Sequence, residues 1–433
     1  PYPAQAPWFS TAGQLSTEWL PAALQGYPYG LDALILWSAN PVYGIAGLRE
    51  IADKTLGDPK VIPLVIAVDP FINESSCYAD YIVPDSTMYE SWGYGAPWAY
   101  IPTKSMIARW PVVEPRNAKT AEGEPINVEM FVIAVAKALG LPGYGEGALK
   151  GADGKTYPLH RPQDWWLRAG ANVAFAGKAP VGDASDDDLD LSGVARLMPE
   201  IRKALPEEEA RKVAFLFTRG GRHQPAKEAW DESGKHAWAF AKPLHLWSEA
   251  IALSRNAMTG RRNSGAPGWA APAFADGAPL EARYPAKDWP FKLVSQKSPL
   301  QNSYSITHRR LRGLHPDNPV AIHPNDAKAL GLANGDRVRI ESPNGAGVAS
   351  VVLRHGVMRG VLAVEHGFGH RELGARAHRI GDWTQPHDPG AGAGFAINEL
   401  GLIDPTRTSL APLLEPISGT SVRQGLPARL MRA

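Results

Sequence analysis

The sequence predicts an α/β chain in two unlike parts: a parallel-sheet α/β domain with loop-rich insertions over residues 1–289, then a small β-barrel over 290–433. Two observations carry this prediction. Apolar runs bounded by turns alternate with helical periodicities early in the chain, the order that builds a parallel sheet with right-handed crossovers. Beyond Trp289, short alternating strands separated by glycine-containing turns take over, as in a small barrel.

The first strand is Ala33-Leu34-Ile35-Leu36-Trp37, whose unbroken apolar character predicts cover on both faces. After the turn Ser38-Ala39-Asn40-Pro41, apolar Ile45, Leu48, Ile51, Ala52 and Leu56 recur at helical spacing, with Gly57 in the capping position. Residues 61–68 form a second buried strand ending at Asp69-Pro70, and Tyr81-Ile82-Val83 a third ending at Pro84-Asp85, with a short helix around 75–79 between them. A further helix starts at the N-cap Asn127, buries the stripe Phe131, Val132, Val135 and Leu139, and stops at Gly140. Residues 145–193 are Gly-rich and carry Asp183, Asp186, Asp187, Asp188 and Asp190, which predicts a solvated surface loop. Those carboxylates lack the alternation and terminal Glu of an oxygen-ligand cation loop. Glu207-Glu208-Glu209 after Pro206 suit a helix first turn, and the apolar segment 213–217 then reads as a strand running into Thr218-Arg219-Gly220-Gly221-Arg222-His223. The barrel strands are 320–322, 337–340, 348–353 and 361–364, with one short helix at 325–330.

Composition narrows the function classes. Across 433 residues, 45 Lys and Arg against 44 Asp and Glu leave a formal charge of +1, so no basic field points to nucleic acid. The lone cysteine, Cys77, permits no internal disulfide and no thiolate cluster for zinc or iron–sulfur. No apolar stretch approaches the roughly 20 residues needed to cross a bilayer. The chain opens Pro1-Tyr2-Pro3, without an initiator Met or a signal pattern, and reads as an internal fragment or a processed chain.

In an open parallel sheet, ligands sit outside the carboxyl ends of the strands. That rule gathers Ser38, Ala39, Asn40 and Pro41 with Asp69, Pro70 and Asp85 on one rim. Neither a G-x-G-x-x-G turn nor a P-loop is present, so a nucleotide would be held another way. A strand-end carboxylate such as Asp69 could accept the two adjacent donors of a guanine edge; alternatively Asp69-Pro70 simply opens a turn. Arg219 and Arg222 place two permanent cations on a glycine turn, suited to an oxyanion or to a tight turn with solvated arginines. His366-Gly367-Phe368-Gly369-His370 has histidines four apart, but its glycines oppose a helix and no further ligand accompanies them, so no metal site is read there. Cys77 reads as a buried structural thiol rather than a nucleophile.

The segments 33–41, 65–70 and 79–85, with Glu90 and Gly93 after them, resemble the third domain of molybdopterin oxidoreductases of the dimethyl sulfoxide reductase family. His323-Pro324-Asn325-Asp326-Ala327, Leu330-Gly331-Leu332 and Asn334-Gly335-Asp336 are similar to that family's C-terminal molybdopterin-dinucleotide-binding domain, a double-psi β-barrel. Arg219-Gly220-Gly221-Arg222, Asn256-Ala257-Met258-Thr259-Gly260, residues 365–372 and Asn398-Glu399-Leu400-Gly401 are similar to the branch that reduces tetrathionate. Respiratory arsenate reductases and polysulfide or thiosulfate reductases share much of the pattern.

The resemblance implies two molybdopterin guanine dinucleotides around one molybdenum, a 4Fe–4S cluster in an N-terminal part not represented here, and two-electron reduction of a small oxyanion or sulfur compound. The partners it implies are a membrane anchor and an iron–sulfur electron-transfer subunit, in periplasmic anaerobic respiration, with no nucleic acid and no direct membrane span. The chain would then be the C-terminal part of a larger subunit, inactive alone; a non-catalytic cofactor-binding fragment is the alternative. By the same resemblance, Ser38, Ala39, Asn40, Pro41, Asp69, Pro70 and Asp85 approach a dinucleotide from the α/β side. Ser295, Lys297, Asn302, Ser303, His366, Gly367, His370, Asn398, Arg423 and Gln424 do so from the barrel side, and Arg219 and Arg222 draw in the anionic substrate. Many relatives carry Thr-Gly-Arg where this chain has Ser295-Gln296-Lys297, which exchanges a bidentate fork for a point charge.

Overall fold

The computed structural model describes residues 7, 17–96, 104–177, 179–236 and 246–433; the opening Pro1-Tyr2-Pro3 lies outside them. Contacts divide the chain into two compact units, one of Pro1–Ala67, Phe71–Ile82 and His245–Ala433, the other of Val68–Pro70 and Val83–Leu244. The barrel falls in the same unit as the first strand and its helices.

The strands Ala33–Trp37, Leu64–Asp69 and Tyr81–Pro84, which apart from the C-terminal ends of the last two belong to the first unit, form a three-stranded sheet in that order. The helices Trp19–Gln25 and Arg49–Thr55 cover it through Leu20, Leu48 and Ile51, all fully buried with Leu36 and Val65 in one apolar cluster. The first strand is not covered on both faces. Leu34 and Leu36 turn into the cluster while Ile35 and Trp37, on the opposite side of the pleat, are exposed, the alternation of a half-buried strand. The helix expected from Ile45 to Leu56 is two helices, Pro41–Gly44 and Arg49–Thr55. Gly47 breaks it: at φ +74° a Cβ there would stand 2.9 Å from the Leu402 carbonyl oxygen, a close approach that only glycine allows. Leu56, not Gly57, occupies the C-cap.

Six strands close the barrel, in the order Val320–Ile322, Gly345–Leu353, Arg337–Ser342, Gln424–Arg432, Phe291–Gln296 and Val361–Glu365. Strand 320–322 pairs in parallel with 345–353, and 361–365 with 291–296; the other pairings around the barrel are antiparallel. The predicted alternation is visible in Arg337–Ser342, where Val338 and Ile340 fill the interior and Arg337 and Arg339 face out. Leu293, Val320, Ile322, Leu362 and Val364 complete a fully buried centre, each side chain worth about 1.5–3 kcal/mol on burial. The short helix is Pro324–Ala329.

The second unit holds a three-stranded antiparallel sheet of Gly93–Gly95, Ser105–Arg109 and Gly221–His223. Three expectations are corrected here. Residues 213–217 are not a strand: they continue the helix Glu207–Thr218, whose Ala210, Val213, Ala214, Leu216 and Phe217 form its buried side. No turn residue separates Glu207 from the apolar run, so the helix propagates through it. Residues 145–193 are not a loop, but a hairpin (Gly145–Lys150 with Thr156–Leu159), the helix Pro162–Ala174 and the helix Asp186–Ser192. Asp186, Asp187 and Asp188 sit in the last helix's first turn behind the N-cap Ser185, where the dipole favours negative charge. The helix Val128–Ala138 starts at Asn127 as expected, its Oδ1 accepting the Met130 N–H, but it buries Ile133 and Ala136 and leaves Val132, Val135 and Leu139 exposed. Among the described residues no helix is long and apolar enough to cross a membrane, and no group of three or more His, Cys, Asp or Glu could hold a metal ion.

Candidate functional site

The turn after the first strand is a constrained piece of backbone. Ser38 lies at φ +44°, a left-handed conformation that non-glycine residues rarely adopt and that concentrates at working sites. Asn40 then caps the helix Pro41–Gly44: its Oδ1 accepts from the Tyr43 N–H at 3.4 Å and from Ser75 Oγ at 2.9 Å. Ser75 Oγ in turn accepts the Val42 N–H at 3.0 Å, so a loop far along the chain completes the helix start. The Asn40 amide nitrogen donates to Glu74 Oε2 at 2.7 Å.

Glu74 is the hub. The other oxygen of its buried carboxylate accepts from His370 Nδ1 at 2.9 Å, the Arg371 N–H at 2.9 Å and the Glu372 N–H at 3.2 Å. Burial alone would raise its pKa, but the hydrogen bond and charge of the His370 ring, with the Asn40 and Arg371 donors, outweigh burial and hold it down to about 2. The His370 ring, enclosed on all sides, stacks on Tyr43 with centroids 3.8 Å apart and planes 19° from parallel. The Tyr43 hydroxyl donates to the Phe368 carbonyl at 2.8 Å, and burial followed by the Glu74 charge drives its pKa upward.

Asn398 joins this node from the other direction. Its side-chain amide nitrogen donates to the Tyr43 carbonyl at 2.8 Å, and its main-chain carbonyl accepts the Gly47 N–H at 3.0 Å. Beside it lies a cavity of about 230 Å³ lined by Val42, Gly47, Arg49, Asn344, Asn398 and Glu399. Glu399 pairs with both Arg49 (3.1 Å) and Arg371 (2.7 Å).

A second group gathers at the ends of barrel strands. Ser295 and Gln424 exchange hydrogen bonds, the Ser295 N–H to Gln424 Oε1 at 3.0 Å and Gln424 Nε2 to the Ser295 carbonyl at 2.9 Å. The His366 N–H reaches the Gln296 carbonyl at 3.1 Å. Burial, then the positive charges of Arg423 and Lys297, push the His366 pKa below its ordinary value, which places two exposed cations beside a half-buried imidazole. Gly367, at φ +100°, packs on Asn302, where a Cβ would stand 3.0 Å from backbone atoms. Asn302 Oδ1 holds the following turn by accepting the Tyr304 and Ser305 N–H groups, and Ser303 sits between them, half-buried.

Three buried polar atoms in these groups find no partner among the described residues: His370 Nε2, His366 Nδ1 and Asn398 Oδ1. An unsatisfied buried group costs about 1–3 kcal/mol, so each of the three is a position at which a hydrogen bond to a bound group would be favourable.

The structure thus brings together Asn40 and Pro41 with His370 and Asn398, and separately Ser295, Lys297, His366, Arg423 and Gln424. Ser38 and Ala39 precede Asn40 in the first group's turn and Asn302, Ser303 and Gly367 lie with the second group, whereas Asp69, Pro70, Asp85, Arg219 and Arg222 belong to the second unit. Asp69 is buried at its strand end and its carbonyl accepts the Asp85 N–H at 3.4 Å; Pro70 follows it, exposed. Asp85 Oδ1 accepts the Ser86 and Val128 N–H groups at 2.8 and 3.0 Å. The Arg222 guanidinium donates to the carbonyls of Val173, Ala174 and Ala179, and Arg219 pairs with Asp188 at 2.8 Å. Cys77, in the first unit, is half-buried, its thiol facing the Glu74 carbonyl at 3.4 Å, and burial raises its pKa to about 12, the opposite of nucleophile activation.

Glu74 and Tyr43 were invisible as site residues in the sequence. The Asn73-Glu74-Ser75-Ser76 segment reads locally as a short helix start, and nothing nearby announces a partner 296 residues away.

Residues 293–401 match the family model described as "Molydopterin dinucleotide binding domain". The chain is 47% identical over 433 residues to a tetrathionate reductase subunit of Salmonella typhimurium, covering 100% of this chain and 42% of that protein. It is 33% identical over 401 residues to a tetrathionate reductase subunit of Archaeoglobus fulgidus (85% of this chain, 35% of that protein). It is 30% identical over 451 residues to a selenate reductase subunit of Mesobacillus selenatarsenatis (97% and 42%). Acetylene hydratase from Pelobacter acetylenicus shares the fold at a TM-score of 0.58 and 20% identity, covering 96% of this chain and 46% of that one. The chain thus spans less than half the length of these relatives. His366, His370 and Asn398, which bear the three unpartnered atoms, all fall within the matched stretch, so this part of the chain is a molybdopterin dinucleotide-binding domain.

Proposed function

We propose that this chain forms part of the dinucleotide-binding surface of a molybdenum-dependent respiratory oxidoreductase that reduces tetrathionate to thiosulfate. The observation that carries the reading is the set of buried, unpartnered atoms on His366, His370 and Asn398 inside the matched domain. A molybdopterin guanine dinucleotide fits them: its pterin and guanine edges offer donors and acceptors, and its phosphates suit the Lys297 and Arg423 cations beside His366.

The chain's own residues hold and orient. Lys297 and Arg423 attract phosphate, while His366, disfavoured as a cation, keeps a neutral ring that can accept or donate. Asn398 and His370, fixed on either side of Tyr43, present their open hydrogen-bonding positions without further ordering cost. When bound, the pterin-held molybdenum supplies the two-electron redox chemistry. The net conversion balances without protons: two electrons enter the central S–S bond of the tetrathionate dianion, which breaks to leave two thiosulfate dianions.

The finer assignments belong to the same proposal. The cofactor is the bis-molybdopterin guanine dinucleotide form, and a 4Fe–4S cluster sits in a portion of the subunit beyond this chain. A membrane anchor and an iron–sulfur subunit deliver electrons, in the periplasm. The barrel is of the double-psi type, supported by six closed strands with two parallel pairs. A second reading, reduction of a different oxyanion, is favoured by the similarity to a selenate reductase. Steady-state assays of the complete subunit with a reduced viologen dye test both. The highest kcat/KM is expected with tetrathionate; turnover only with selenate, arsenate, thiosulfate or polysulfide would replace it as the substrate.

A further inference from the structure

Four donors converge on the buried Glu74 carboxylate. Oε2 takes the Asn40 amide from the first turn; Oε1 takes His370 Nδ1 and two successive backbone N–H groups, Arg371 and Glu372. Such an acceptor fixes more than a loop. It can accept from His370 only if Nδ1 carries a hydrogen, so it selects the face of the ring and the nitrogen left over. The ring cannot swing away, because Tyr43 stacks on it at 3.8 Å and is itself tied by its hydroxyl to Phe368 and by its carbonyl to Asn398. What remains is Nε2, enclosed and without a partner among the described residues. A carboxylate behind an imidazole whose far nitrogen meets a functional group is a recurrent device for fixing tautomer and raising basicity.

We propose that Glu74 is a positioning residue that acts through His370: it orients the ring so that Nε2 meets a hydrogen-bonding group of the bound pterin cofactor, directly or through one enclosed water. This rests on the cofactor reading above and adds a residue that touches no cofactor itself. Asn40 belongs to the device as the donor that keeps the second carboxylate oxygen in place.

The test is a double-mutant cycle in the complete, cofactor-loaded subunit, comparing wild type, Glu74→Gln, His370→Gln and the double variant. Cofactor content is read by acid release and the molybdenum midpoint potential by EPR-monitored redox titration. Thermal unfolding shows which variants fold, and Glu74→Asp serves where Glu74→Gln does not. Glu74→Gln is expected to keep the cofactor but change the oxidised-to-reduced ratio at fixed potential by roughly tenfold, the scale of one charge-assisted hydrogen bond. The same change in the His370→Gln background is expected to have no further effect. A folded Glu74 variant with the wild-type potential overturns the proposal, as does an equal shift in both backgrounds, which would make Glu74 merely structural. Wild-type subunit that releases no guanine dinucleotide overturns the cofactor reading itself, an outcome distinct from a loaded wild type with an unmoved variant.

Discussion

His370 Nδ1 stands 2.9 Å from Glu74 Oε1, joining the loop after the second strand to a loop of the barrel domain across 296 residues of sequence. Both groups are almost fully buried, so the pair is a cross-link whose loss leaves an isolated charge or an orphaned ring nitrogen.

That pair makes an acid-side prediction. The folded pKa of Glu74 lies near 2, below its ordinary value, so its stabilising contribution is complete above the unfolded carboxylate pKa and is lost as pH falls through the folded value. Melting curves between neutral pH and about pH 2 should show wild type losing more Tm than Glu74→Gln over the lower part of that range. Parallel curves would mean that the carboxylate is not held as described.

Asn398→Ala removes the donor to the Tyr43 carbonyl and should cost about 1–2 kcal/mol by chemical denaturation, while lowering retained cofactor in the complete subunit. Wild-type stability and cofactor content together would strip Asn398 of its assigned role.

Arg222 closes the C-terminal end of the helix Pro162–Ala174 by donating to the Val173 and Ala174 carbonyls, and ties in the following segment through the Ala179 carbonyl. Replacing it with Ala should therefore act on stability, by about 1–3 kcal/mol, measured as a shift in the urea midpoint. An unchanged midpoint accompanied by a raised substrate KM would instead return Arg222 to the anion-guiding role that its sequence position suggests.

Gly401 approaches the Gly47 backbone so closely that a Cβ would fall 2.2 Å from the Gly47 nitrogen. Gly401→Ala should force these segments apart and destabilise the protein by several kcal/mol, roughly the upper range of overpacking and strain. A Tm within a degree of wild type would contradict that contact.

The legible parts of the molecule were those with local signals. The strand 33–37 and its Asn40-Pro41 turn, the Asn127 cap and the alternation of Arg337–Ser342 each follow from neighbours in sequence. The strand Gln424–Arg432 carried no such signal: Pro427 interrupts it, and its pairing with Phe291–Gln296 closes only in the folded barrel. The apolar stretch 213–217 was ambiguous by length, and the polar helix preceding it decided the outcome. Residues 145–193 looked like a loop because glycines mask the hairpin, and because a run of aspartates reads as solvated surface until a cap at Ser185 gives it a helix to begin. In the site, resemblance reached His366, His370 and Asn398, but not Glu74, because a buried carboxylate is defined by the donors that converge on it and those are distant in sequence.

Everything proposed for this fold requires that it hold a molybdopterin guanine dinucleotide against His366, His370 and Asn398. The decisive experiment is mass spectrometry of the material released by denaturing the purified complete subunit. Guanine dinucleotide and molybdenum are expected from wild type, with much less from a folded variant lacking Lys297, Arg423 and the Asn398 amide; release of neither from the active wild-type enzyme would refute the proposal.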